Sequence, residues 1–244
     1  MSDTVTTTES DGVTLVRLDD AKANALSPAV ITAIDTALDH ALDEEAAAVV
    51  IAGRPGRFSA GFDLSVMRSG DVGAMLRLVL SGAELALRLF TFPKPVVAAC
   101  TGHALAMGAI TLLCADERIG TSGDYKIGLN EVAIGMALPG WAAELAATRI
   151  DVRQLQRATL GATIYAPDTA VDAGFLDRTT AAPDECVEAA VTAAQRLAGL
   201  DAAAFARTKE LVRADAADRV RAAIAHDRLI ADKFSSDARA QGDV

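Results

Sequence analysis

The stretch P-K-P-V-V-A-A-C-T-G-H-A-L-A-M-G-A-I-T-L-L-C-A-D, residues 93–116, decides the fold, and Y-K-I-G-L-N-E-V-A-I-G-M-A-L-P-G-W, residues 125–141, completes it. Val96 to Cys100 is short, apolar and β-branched at its start, which predicts a buried strand. Pro93 and Pro95 fence it off, and Gly102 punctuates it. Ala104 to Ala115 is rich in Ala, Leu, Met and Ile, which predicts a buried helix. A strand that turns sharply into a helix leaves first-turn N–H groups without intrahelical acceptors at the mouth of a sheet. Developing negative charge is stabilised at such a place. Val96 to Ala115 is also twenty residues without Asp, Glu, Lys or Arg, about the length of a membrane span. Gly102-His103 interrupts its middle, its first half favours strand, and no second span follows. A strand and a helix buried in one core is the better reading.

Outward from this stretch, apolar strands alternate with helices, which places the chain in the α/β class. Strands are predicted at Val13–Leu18, Ala46–Ala52, Glu117–Gly120 and Tyr125–Ile127, with F-L-D-R-T at 175–179 as a candidate last one. Ser27-Pro28 supplies an N-cap and a first-turn proline for a helix running to about Asp43. A second helix is predicted from about Val72 to Phe90. Beyond Trp141 the pattern is helical, with segments at Asp151–Gly161, Ala166–Gly174, Asp184–Gly199, Ala202–Arg213 and Asp215–Phe234. Residues 1–11 read as a flexible tail, 12–180 as the core and 181–244 as a helical C-terminal region.

The 244 residues suffice for a sizeable core, and 51% hydrophobic content with few aromatics makes it a core of small aliphatic side chains. A net charge of −10 argues against a nucleic-acid or membrane-surface partner, which needs a basic field. Cys100, Cys114 and Cys186 read as reduced core residues of a cytoplasmic protein, and the polar, acidic N-terminus shows no apolar leader. His40, His103 and His226 are scattered and no C-x-x-C occurs, so no metal-ligand spacing is present.

Three positions invite chemistry. In R-F-S-A-G-F-D-L, residues 57–64, Ser59 has Gly61 two residues after it but Arg57 two before, which is half of a nucleophile elbow. A Ser59/His103/Asp63 triad is therefore weakly supported. The alternative use is backbone: Ala60-Gly61 turns tightly and aims the Phe62 N–H into a cleft, with Asp63 as a helix cap. A second donor would come from the turn Ala106-Met107-Gly108, and two N–H groups from separate loops are what an oxyanion hole requires. Glu131 is the one carboxylate between Asp124 and Glu144. Apolar neighbours disfavour its charged form and raise its proton affinity toward a useful range, unless it pairs with an Arg or caps a helix.

Taken together, F-S-A-G-F-D-L at 58–64, P-K-P-V-V-A-A-C-T-G-H-A-L-A-M-G at 93–108 and the I-G-L-N-E-V segment resemble the crotonase superfamily, the enoyl-CoA hydratase/isomerase family. The resemblance spans roughly Val13 to Thr179. It implies a spiral of ββα units, a helical C-terminal part that builds a homotrimer or a dimer of trimers, and an acyl-CoA thioester as substrate. Coenzyme A would be part of that substrate, with no separate cofactor. By position, the thioester oxygen would be held by the N–H groups of Phe62 and Met107. Most members carry glycine at the second place, so Met107 is a departure whose side chain could narrow the pocket. Ala23, Ala60, Asp63 and Leu64 match positions near the CoA moiety, Gly108 and Ile110 match further substrate-binding positions, and Trp141 would line the acyl pocket. Lys22, Arg54, Arg57, Arg68, Lys94, Lys209 and Lys233 are candidates for the CoA phosphates.

The resemblance leaves the reaction open. Hydratases of the family use two glutamates, and their matching positions here are Ile110 and Glu131. With one acid missing, the pattern is closer to the Δ3,Δ2-enoyl-CoA isomerases, whose proline and tryptophan match Pro139 and Trp141. Enoyl-CoA hydratase is the alternative activity, and a non-catalytic acyl-CoA-binding homologue is the alternative from another class.

Overall fold

The computed structural model describes residues 4–43 and 46–242. Its large sheet has strand order β1-β2-β3-β5-β7-β9, formed by Val5–Ser10, Val13–Leu18, Ala48–Ala52, Val96–Cys100, Glu117–Thr121 and Arg178–Thr180. All neighbours in it run parallel except β1 and β2. A small parallel sheet, β4-β6-β8, is formed by Gly56–Ser59, Gly102–Leu105 and Ile127–Gly128. Three successive units repeat one path. A strand enters the large sheet, the next enters the small sheet, and a helical segment returns the chain: α2 and α3 (Leu64–Met67 and Val72–Thr91), then α4 (Met107–Cys114), then α5 (Gly140–Arg149). This is the expected spiral of ββα units.

The period of two in a strand explains why β3 and β5 read as unbroken apolar runs. Val49, Ile51, Val96, Ala98 and Cys100 face the main core with α1 (Pro28–Asp43), α3, α4 and α5. Ala48, Val50, Ala52, Val97 and Ala99 face a second core closed by α8 (Pro183–Ala198) through Cys186, Val187, Ala190, Ala193 and Ala194. At the corner between the sheets a Cβ on Gly102 would lie 2.0 Å from the Gly56 carbonyl carbon. Only glycine permits that approach.

Several expectations are corrected. Val5–Ser10 is not part of a loose tail but an edge strand paired with β2. Its turn, Asp11-Gly12, has φ of 51° and 74°, as a two-residue hairpin loop demands. The predicted helix from Ala104 begins only at Met107, because Ala104 and Leu105 belong to β6. The loop 57–64 likewise contains β4. The predicted strand Tyr125–Ile127 is shifted to β8, Ile127–Gly128, sharing only Ile127, and the helix predicted over Asp151–Gly161 narrows to α6, Leu155–Ala158. Thr7-like edge residues and Ala-rich short strands carry little of the signal that periodicity reads. The last two predicted helices are one, α9, Ala202–Gly242, since neither Gly nor Pro stands between Arg213 and Asp215. The helical C-terminal region packs on the core. Helix α8 covers a face of the large sheet, and α9 is tied to α3 by the Arg228–Glu84 ion pair and to α5 by Arg219–Glu144 at 2.7 Å.

Beneath α9 lies a buried charge cluster. Asp116 accepts from Val96 N at 2.7 Å and pairs with Lys209 at 2.7 Å and Arg213 at 2.9 Å. Arg213 also donates to the Phe90 and Cys114 carbonyls. The cluster fixes the start of β5, and through it the strand that leads to the site.

Candidate active site

The three parallel strands of the small sheet end side by side. Phe62 stands three residues past Ser59, the end of β4; Met107 stands two past Leu105, the end of β6; Glu131 stands three past Gly128, the end of β8. Sheet pairing therefore sets the spacing of all three.

The two amides are left over by construction. Leu26 bridges Phe62 in parallel register: Leu26 N donates to Gly61 O and Asp63 N donates to Leu26 O. That pattern uses the groups flanking Phe62 and turns the Phe62 N–H away from the pair. Met107 is the first residue of α4, where an N–H has no intrahelical acceptor. Ala106 before it has φ 51° and ψ −125°, a region that costs a residue with a Cβ about 1–3 kcal/mol. Its own N–H is spent on Gly128 O at 3.0 Å, which ties the end of β6 to the end of β8. A Cβ on Gly61, whose φ is 93°, would lie 3.2 Å from Met107 N, so the two donor loops touch.

Behind the donors, Gly82 of α3 makes room for the Phe62 ring: a Cβ there would lie 2.4 Å from Cε1 and Cζ. The Met107 methyl comes within 3.6 Å of the same point, and Met107 is buried in the core. Its side chain thus turns toward α3 beside Phe62, which answers how a methionine is accommodated at the donor position. Gly108 is held close to β4, since a Cβ would lie 2.3 Å from Ser59 O.

Glu131 is half-buried. Its Oε2 is enclosed with no protein hydrogen-bond partner, and its backbone carbonyl accepts from Ile134 N and Met136 N. Burial pushes its proton affinity above the ordinary carboxylate value, opposed by its own backbone amide. Ile110 is 1% exposed in α4. Trp141 is equally buried at the start of α5, and its Nε1 has no protein partner. Clefts of about 490 and 680 Å³ lie elsewhere, along α9 near Pro93.

The triad falls apart. Ser59 Oγ donates to Asn24 O at 2.8 Å and accepts from Gly61 N. His103 Nδ1 accepts from Lys126 N, and Asp63 caps α2 through Ser65 N at 2.8 Å. Ala23 and Ala60 are joined by an Ala60 N to Ala23 O bond of 3.0 Å, and Leu64 is 53% exposed on α2. Of the candidate cations, Lys209 is used by Asp116 and Lys94 donates to Ala41 O, while Arg54 reaches the Lys22 carbonyl. Lys233 falls where side chains lie outside the described residues.

Asn24 and Gly82 went unremarked in the sequence. Asn24 is buried with φ 51°, and its Nδ2 donates to Leu18 O, Arg57 O and Phe58 O. It staples the loop carrying Ala23 onto β4. Asparagine in a D-D-A-K-A-N turn was the available signal. Gly82 was visible as a glycine inside a helix, where it costs about 1 kcal/mol relative to Ala unless something packs against it.

Two main-chain amides and one carboxylate stand at adjacent strand ends, the kind of arrangement that a proton transfer through an oxyanion would need. The sequence profile of the enoyl-CoA hydratase/isomerase family matches residues 8–243, and the chain belongs to that family. It is 30% identical over 169 residues to the mouse mitochondrial enoyl-CoA delta isomerase 1, covering 68% of this chain and 58% of that one. The match thus spans less than two thirds of that relative's length. Among solved structures, an apo enoyl-CoA isomerase of Mycobacterium tuberculosis superposes with a TM-score of 0.89 at 42% identity, covering 94% of this chain and 99% of that one. A probable enoyl-CoA hydratase from the same species gives 0.90 at 41%, covering 98% and 99%. Among the described residues no helix is long and apolar enough to cross a membrane.

Proposed function

We propose that the protein converts 3-enoyl-CoA thioesters to their 2-enoyl isomers with Glu131 as the only general base and acid. The observation that carries this reading is the enclosed Glu131 carboxylate at the end of the small sheet, with isoleucine, Ile110, at the position that matches the hydratases' other glutamate by resemblance. The Phe62 and Met107 amides hold the thioester oxygen. Glu131 takes a proton from C2, the C2–H electron pair moves into an enolate, and negative charge gathers on the held oxygen. The same carboxyl then delivers its proton to C4 as the double bond settles between C2 and C3. Atoms and charge balance without an added cofactor. Adding water instead needs a group to orient it and a partner to shuttle its proton.

In this reading Ala23, Ala60, Asp63 and Leu64 border the CoA moiety, and Gly108, Ile110 and Trp141 the acyl end. Lys22, Arg57 and Arg68 remain as candidates for its phosphates. Exposed Val152, Leu160, Leu211 and Val212 are apolar surface that a homotrimer or a dimer of trimers would cover. The three buried free cysteines suit a reducing cytoplasm.

The test offers the protein 3-enoyl-CoA and 2-enoyl-CoA separately. Conjugation of the first supports the isomerase. Hydration of the second alone supports a hydratase, and thermal protection without turnover supports a binding homologue.

A further inference from the structure

One carboxylate holds the loop that leads into Leu26. Asp20 is half-buried at its start. Its Oδ1 accepts from Lys22 N at 2.7 Å and Asn24 N at 2.8 Å, and its Oδ2 accepts from Ala25 N at 3.2 Å. Its own N–H donates to Asn24 Oδ1 at 3.0 Å, so the two side chains close the loop on each other. Ala21 and Asn24 have φ of 58° and 51°, a left-handed backbone that a residue with a Cβ keeps only where its surroundings enforce it. Arg54 adds a bond to the Lys22 carbonyl. Burial works to raise the proton affinity of Asp20. The amides of Asn24, Lys22 and Ala25, together with the Arg54 charge, outweigh it and hold the carboxyl below its ordinary value.

Beyond Lys22 the loop runs along the donor segment, bond by bond. Ala23 O accepts from Ala60 N, Asn24 O accepts from Ser59 Oγ, Leu26 N donates to Gly61 O, and Leu26 O accepts from Asp63 N. Phe62 lies inside that ladder. Resting on the isomerase reading, we infer that Asp20 is a positioning residue: through loop 20–26 its carboxylate sets where the Phe62 N–H points. A carboxylate suits this place because three N–H groups converge on it and it offers acceptors only. An asparagine would keep the oxygen that serves Lys22 and Asn24 but turn its NH₂ toward the Ala25 N–H.

The experiment uses the whole chain with Asp20→Ala and Asp20→Asn. The control is Asp201→Ala, which removes a carboxylate that likewise accepts a backbone N–H, that of Ala204 at 2.8 Å, at the start of α9. Two quantities are read: kcat and KM for 3-enoyl-CoA, and the Phe62 amide signal of nitrogen-15 phenylalanine-labelled protein without substrate, assigned by its loss in Phe62→Leu. Displacing one oxyanion donor is expected to lower kcat about tenfold or more in Asp20→Ala, with KM changed much less. The Phe62 signal moves in the same variant. Asp20→Asn keeps the bonds to Lys22 and Asn24 and recovers most of the rate. Asp201→Ala changes neither reading. If Asp20→Ala does not fold, Asp20→Ser, which leaves one acceptor, is read in its place. A folded Asp20→Ala or Asp20→Ser with the wild-type kcat and an unmoved Phe62 signal overturns the inference. A rise in KM alone overturns it too, and assigns Asp20 to the CoA moiety. Should the wild type fail to isomerise, the activity reading falls, while the Phe62 signal still decides the role of Asp20.

Discussion

Replacing Gly61 with alanine tests the contact on which the oxyanion hole depends. The added Cβ would meet Ala106 Cβ at 2.9 Å, Leu105 O at 3.0 Å and Met107 N at 3.2 Å, at a φ of 93°. The unfavourable backbone conformation costs about 1–2 kcal/mol. Forcing two backbone segments apart adds about 1–3 kcal/mol, as overpacking does. The sum, about 2–5 kcal/mol, is a large part of the roughly 5–15 kcal/mol that holds a domain folded. Gly70 supplies the control, since its φ is 82° but a Cβ there meets nothing within 4 Å. Gly70→Ala therefore carries the backbone term alone, and the difference between the two variants in urea unfolding isolates the contact. Because the displaced group is a donor amide, Gly61→Ala is also expected to lower kcat for 3-enoyl-CoA about 10²–10³-fold, the usual loss of one oxyanion-hole donor. Gly70→Ala leaves turnover near the wild-type rate. Equal stability and equal turnover in the two variants would falsify the placement of Gly61 against Met107.

Three further outcomes follow from the same geometry. Glu131→Gln should reduce isomerisation about 10²–10⁴-fold, and the wild-type rate should fall as pH drops through a midpoint above the ordinary carboxylate value, read from a pH–rate profile. A carboxyl whose folded pKa is raised holds its proton longer when folded, so stability falls as pH rises from the unfolded to the folded pKa. Glu131→Gln should flatten that slope in unfolding curves recorded upward from the ordinary glutamate pKa of about 4.3. Asp116→Ala should cost about 3–5 kcal/mol by leaving Lys209 and Arg213 buried without their counter-charge, whereas Lys209→Met should cost much less because Arg213 remains. Asn24→Ala removes the two Nδ2 hydrogens shared among the carbonyls of Leu18, Arg57 and Phe58, and should lower stability by about 2–3 kcal/mol in denaturant titration.

What could be read in advance followed physical strength. Val96–Cys100 and Ala48–Ala52 are buried on both faces, so hydrophobicity alone revealed them. Ser27-Pro28 marked the start of α1, where Val30 N donates to Ser27 Oγ. The small sheet was hidden because its strands are four, four and two residues long, too short for an alternation to show. Strand β1 was hidden because its residues are mostly exposed and polar, although Asp11-Gly12 announced the hairpin. At the site, the carboxylate and the glycines were visible as residue types. The Phe62 and Met107 amides were singled out as candidate donors, but the bonds of Leu26 and Ala106 that leave them over were not legible, because their partners Gly61 and Gly128 are distant in the chain.

The small sheet acts as a ruler. Neighbouring strands lie about 4.8 Å apart, so three adjacent ends fix three working groups across roughly 10 Å by main-chain bonding alone. Exposed side chains beside that frame, such as Leu64, can be exchanged without disturbing its graduations. One reactive centre can in this way be fitted to many tails, with selectivity and chemistry free to vary apart.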